Sequence, residues 1–181
     1  MKVIYILAIN VLLVCSMSLA SCGQKPVHFP ELPVADVKAY FSEASLTQAI
    51  DTALYEVKDV NGKFLGTVLF SSPYSDDVKG YNGPTPLLIA LDANGRISKV
   101  VLLENHETPR FTQFVLDGGL YEAWNGLTPT EALEKDVDAI VGATFTSNGV
   151  KGSLVARLKA YERQLKKDRT DEQKSFWQRL F

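Results

Sequence analysis

The chain has 181 residues, 46% of them hydrophobic, with a formal net charge of −2, two histidines and two cysteines. That balance argues against a basic nucleic-acid binder and a disulfide-built scaffold. It leaves enough chain for one domain with a proper core.

The first residues have the form of a secretory leader. Lys2 precedes the apolar run VIYILAINVLLVCSMSLA, and SCG follows it. A short positive region, an apolar core and a small-residue exit describe a signal segment. Asn10 interrupts the run and no basic stop follows, so a permanent membrane helix is the weaker alternative. Leu19, Ala20, Ser21 and Cys22 resemble a bacterial lipobox. On that resemblance residues 1–21 are a lipoprotein signal peptide, Cys22 carries lipid, and the chain is anchored on the extracytoplasmic side of a bacterial envelope. Buried lipid contributes roughly 0.8 kcal/mol per CH₂, and stable anchoring takes more than one acyl chain. A plain signal peptide with an incidental cysteine is the alternative. Cys15 would leave with the leader.

After Cys22, GQKPVHFPELP is Pro-rich and polar, so residues 22–33 read as a tether. VADVKAYFSEA and LTQAIDTAL then read as one or two short helices. Two hairpins follow, in LYEVKDVNGKFLGTVLFSS around Asn61-Gly62 and in TPLLIALDANGRISKVVLLEN around Asn94-Gly95. Their four strands are antiparallel, and Leu87 to Leu91 is apolar enough to be central. Between the hairpins, SDDVKGYNGPTP predicts a structured loop.

Pro109 is placed to open a short helix ending at Gly118-Gly119. LTPTEALEKD offers Thr128 as cap, Pro129 at the first position and Glu131 as the partner in a capping box. A long helix is expected from about Thr146 to Lys167, with Val150, Leu154, Leu158, Tyr161 and Leu165 at three- and four-residue steps. A separate amphipathic segment starting at Thr170 carries Phe176, Trp177, Leu180 and Phe181; packing on the domain is favoured over docking on a membrane or partner. The class is α+β, an antiparallel sheet of about four or more strands with flanking helices. The domain is expected over residues 34–167, with 168–181 as a C-terminal amphipathic segment.

No nucleophile elbow, phosphate-binding P-loop or dinucleotide fingerprint is present. The histidines are His28 and His106, and no serine is marked by local sequence as a hydrolase partner of His106. His106 and Glu107 are adjacent, but without a third recognisable ligand they read as a loop turn rather than a metal site. The informative stretch is VDAIVGATFTSNGV. Gly142 and Ala143 carry little bulk, and Thr144, Thr146 and Ser147 are helix-capping residue types at the start of the long helix. Free N–H groups beside small residues favour an anion, phosphate above all, although an ordinary capped helix has the same look.

Within that stretch DAIVGATFTS resembles the signature of FMN-binding domains that carry flavin covalently on threonine, the family of the flavin subunits of the Na⁺-translocating NADH:quinone oxidoreductase and the Rnf complex. GYNGPTPL (Gly80 to Leu87) and HETPRF (His106 to Phe111) resemble two further segments of that family, in the same order. The resemblance spans roughly Tyr55 to Leu165. It implies FMN joined by phosphoester to Thr144, with Gly142, Ala143 and Thr146 around the link and Tyr81, Glu107 and Thr108 near the flavin ring. It further implies a Mg²⁺-dependent flavin transferase that uses FAD and reads Asp138. Val141 stands where the family has Ser or Thr, and Arg110 where it has Gly. The expected function is a lipid-anchored electron carrier rather than an enzyme with its own substrate, working with a redox protein or membrane electron-transfer complex. The alternative is a non-redox binding lipoprotein that kept the fold and lost the flavin.

Overall fold

A computed structural model describes residues 32–180. The leader, Cys22, the tether up to residue 31, Phe181 and the side chains of Trp177 and Leu180 lie outside the described residues.

Five antiparallel strands lie side by side in chain order: β1 (Leu46–Asp51), β2 (Leu54–Lys58), β3 (Phe64–Phe70), β4 (Leu87–Asp92) and β5 (Ile97–Leu102). Gly62 and Gly95 take positive φ, 79° and 73°, at the two turns expected from their Asn-Gly pairs. Each pairing is between neighbours in sequence, as in Leu69 opposite Leu54 and Ile89.

Helices cover both faces. Helix α1 (Val34–Val37) and the segment after it place Val37, Phe41 and Ala44 against Tyr55, Val57, Val68, Leu88 and Ala90. The opposite face takes α2 (Pro109–Asp117), a 3₁₀ turn (Tyr121–Trp124), α3 (Pro129–Glu134) and α4 (Thr144–Leu180). Leu54, Leu69, Leu87, Ile89 and Leu91 meet Val150, Leu154 and Leu158 there. Strand β4 is apolar at successive positions because Leu88 and Ala90 enter one core and Leu87, Ile89 and Leu91 the other. It is interior, as its composition predicts, although the middle strand is β3.

Two sequence expectations are corrected. LTQAIDTAL is not a helix: it supplies β1 and the tight turn into β2. Leu46, Ala49, Ile50 and Ala53 imitate helical spacing, but pairing with β2 (Thr47 opposite Val57) and a Thr47 hydroxyl bond to the Leu32 carbonyl at 2.5 Å hold the chain extended. The long helix and the C-terminal segment are one helix of 37 residues, without a break at Thr170. Nothing between Lys167 and Thr170 breaks a helix, and the Thr170 hydroxyl donates back to the Lys166 carbonyl at 2.9 Å. Among the described residues no helix is long and apolar enough to cross a membrane.

Helices α2 and α3 start where the sequence predicts. The capping box of α3 is formed, with Glu131 N–H donating to Thr128 Oγ1 and Thr128 N–H donating to the Glu131 carboxylate. Those bonds lower the Glu131 pKa. Arg157 carries no local sequence signal, yet it is fully buried on α4. It donates from Nη2 to the Ala53 carbonyl at 3.0 Å and lies 4.7 Å over the Tyr74 ring. Burial lowers its pKa, which the nearby Tyr74 and Asp51 oppose.

Candidate functional site

The start of α4 is where the sequence signals converge. Gly142 has φ +83°, a left-handed turn that ends the extended segment after α3 and aims the chain into α4. A Cβ there would sit 3.5 Å from the Phe114 ring, an ordinary contact, so the backbone angle is what requires glycine. Ala143 is buried in the main core, so its small side chain serves packing rather than outside access alone.

Thr144 is the first residue of α4 and is exposed. Ala143 precedes it and carries no side-chain acceptor, so the capping role expected of the hydroxyls is not what they do. The Thr146 hydroxyl donates to Glu107 Oε2, and the Ser147 hydroxyl accepts from Ile140 N–H at 3.1 Å. The first intrahelical bond runs from Ser147 N–H to the Ala143 carbonyl at 2.9 Å. The N–H groups of the first turn lie ahead of that ladder and have no carbonyl one turn back within the helix. They form the positive end of its dipole.

A shallow cleft of about 90 Å³ opens beside this turn, lined by Tyr81, Phe111, Gly142, Ala143, Thr144, Phe145 and Thr146. Tyr81 and Phe145 are 59% and 67% exposed and adjoin one another, so their faces form one open apolar patch. Phe111 meets Tyr81 edge-on with ring centroids 5.0 Å apart, and Phe145 lies 6.4 Å from Tyr81. Three rings from a loop, α2 and α4 thus stand around one exposed threonine.

Of the expected site residues, Tyr81, Gly142, Ala143, Thr144 and Thr146 come together at this cleft, while Glu107 and Thr108 do not line it. Glu107 is buried behind the cleft, its carboxylate accepting from the N–H groups of Tyr81 and Asn82 as well as from Thr146. Thr108 precedes α2 without a side-chain cap bond. Asp138 and Val141 are exposed on the approach to α4, Val141 by 93%. Arg110 lies over the outer ring Phe114, 5.2 Å from its centroid, rather than along the cleft. Sequence reasoning missed Phe111 and Phe145, although both lie inside the quoted motifs.

Residues 80–159 match the family model of the FMN-binding domain. The chain carries an FMN-binding domain. The matched part runs from the Gly80 loop through β4, β5, α2 and α3 into α4, so it contains every residue lining the cleft; β1 to β3 precede it. The protein is distantly related to a component of the Na⁺-translocating ferredoxin:NAD⁺ oxidoreductase complex of Acetobacterium woodii. The two are 23% identical over 148 residues, which cover 76% of this chain and 69% of that one. It also matches the crystal structure of Shewanella oneidensis NqrC, with a TM-score of 0.43 and 25% identity over 77% of this chain and 68% of that one.

The FMN-binding domain has residues suited to the two chemically different ends of FMN. A phosphate is favoured at the open first turn of α4. An aromatic ring system is favoured against Tyr81, Phe111 and Phe145. The cleft is smaller than the roughly 300–1,000 Å³ typical of pockets that engulf a ligand. It suits a ring laid against the surface.

Proposed function

We propose that this protein is an extracytoplasmic, membrane-anchored flavoprotein electron carrier, with FMN phosphoester-linked to Thr144 and lipid on Cys22. The observation that carries it is an exposed Thr144 at the opening of α4, beside a cleft walled by Tyr81, Phe111 and Phe145. The family match supports FMN as the ligand, and the relation to a component of an oxidoreductase complex supports electron transfer. A redox protein or membrane electron-transfer complex is the corresponding partner.

A threonine hydroxyl attacks a phosphate poorly unaided, so attachment requires a flavin transferase. Thr144 Oγ1 would take the FMN phosphoryl group from FAD as AMP departs, its proton passing to the transferase. The exposed Asp138 and Val141 lie where such an enzyme can reach. Once bound, FMN supplies one- and two-electron chemistry; the protein supplies orientation, exposure and electrostatic tuning. The first turn of α4 would face the phosphate with N–H donors, and Tyr81, Phe111 and Phe145 would shield part of the ring from water.

The test is intact mass and visible absorbance of the full chain, produced with and without a flavin transferase and FAD. The expected result is a gain of one FMN less water, mapped to Thr144. Thr144→Val should lose all covalent flavin and keep its fold by circular dichroism. A folded wild-type chain that gains nothing from a demonstrably active transferase would shift the weight to the non-redox binding lipoprotein, with Val141 the first suspect.

A further inference from the structure

We infer that Glu107 is a positioning residue, fixing the aromatic wall of the cleft relative to the helix that bears Thr144; its effect on flavin rests on the function proposed above. Glu107 is 6% exposed and three donors converge on its carboxylate. Tyr81 N–H reaches Oε2 at 3.1 Å, Asn82 N–H reaches Oε1 at 2.6 Å, and the Thr146 hydroxyl bonds Oε2. Glu107 is itself held in place, its N–H donating to Asn105 Oδ1 at 2.9 Å, while Asn82 Nδ2 donates to the His106 carbonyl at 2.7 Å.

Packing around this group leaves little slack. A Cβ on Gly80 would lie 2.9 Å from the Glu107 carboxyl, and a Cβ on Gly149 would lie 2.6 Å from Gly80 Cα. The loop after β3 therefore rests directly on the second turn of α4. Farther along, Thr85 and Ser153 join the same two elements through their hydroxyls, 3.1 Å apart.

The chemistry calls for a carboxylate. All three partners donate, and an ionised carboxylate only accepts, with about four lone-pair sites. An amide in its place would turn an NH₂ group toward at least one of those donors. The bonds are also charge-assisted, roughly twice as strong as neutral ones. One side chain thus spans from the backbone of Tyr81, a cleft wall, to Thr146, two residues beyond the attachment threonine. Its displacement would move the wall relative to the link without removing either.

Two measurements on Glu107→Gln in the full chain test this. Without flavin, hydrogen exchange at the Tyr81 and Asn82 amides should speed up by at least about tenfold, as expected for local opening. With flavin attached, the Thr144-linked mass should persist while the visible circular dichroism and emission of the flavin change. Thr146→Val, which leaves both loop N–H bonds in place, should change the same flavin signals less; it carries the test should Glu107→Gln not fold. Wild-type exchange rates in Glu107→Gln, or faster exchange with unaltered flavin signals, would overturn the assignment. A wild-type chain that takes no flavin would instead sink the proposed function, and the exchange rates would still decide whether Glu107 fixes the loop.

Discussion

The two halves of α4 share one hydrogen-bonded helix and almost nothing else. From Thr144 to Tyr161 it presents Val150, Leu154 and Leu158 fully buried, and it carries Gly149, Gly152 and Ser153 where the loop after β3 presses close. From Leu165 to Phe176 every residue is exposed. The first half is held by tertiary packing, which supplies most helical stability in proteins. The second continues through good helix formers such as Gln, Lys and Arg and back-bonds such as Arg169 Nε–H to the Leu165 carbonyl at 3.3 Å. Burial, rather than helicity, separates the part that builds the cleft from the part that extends beyond it.

Substitutions can break that contrast, and their expected effects descend in size. Leu154→Ala should cost about 2–5 kcal/mol by leaving a cavity at the helix–sheet contact, read from urea unfolding. Gly149→Ala should cost about 1–3 kcal/mol, because the added methyl meets the Gly80 backbone and something must shift. It should also loosen the Tyr81 amide in hydrogen exchange. A pH effect comes next. Burial, then Glu122 and Glu107, push the Tyr121 phenol up to about 12 from 10.0. The folded state therefore favours the neutral phenol, and this contribution is full below pH 10 and lost as pH rises towards 12. Tyr121→Phe should show a shallower loss of stability between about pH 10 and about pH 12. Smallest of all, ending the chain after Lys167 should change stability by less than about 0.5 kcal/mol and leave flavin attachment intact. A larger loss would mean that the exposed half contributes to the domain after all.

Much of this architecture is legible in the residues because local signals agree with the fold. The Asn-Gly turns, the Thr128 capping box, Pro109 at the start of α2 and the apolar steps of α4 each act over a few residues. Strand β1 is not legible in the same way. Its apolar spacing fits a helix, and only β2 on one side and Leu32 on the other decide the matter. The site divides likewise. Thr144 and its small neighbours stand out as a run, whereas the aromatic cleft joins Tyr81, Phe111 and Phe145 from three distant segments. Glu107 is visible as a motif residue, but its burial and its three donors are tertiary facts.

The unbroken course of α4 has one more consequence. A helix advances 1.5 Å and turns 100° per residue, so 37 residues make a rod of roughly 55 Å. Gly149 against Gly80 sets its rotation at one end. Phe176, 54% exposed near the other, thereby holds a fixed compass bearing relative to the cleft. Removing one residue between Lys167 and Ser175 would swing that bearing by about 100° while leaving Thr144 where it is. Chain length in this stretch is therefore an angle.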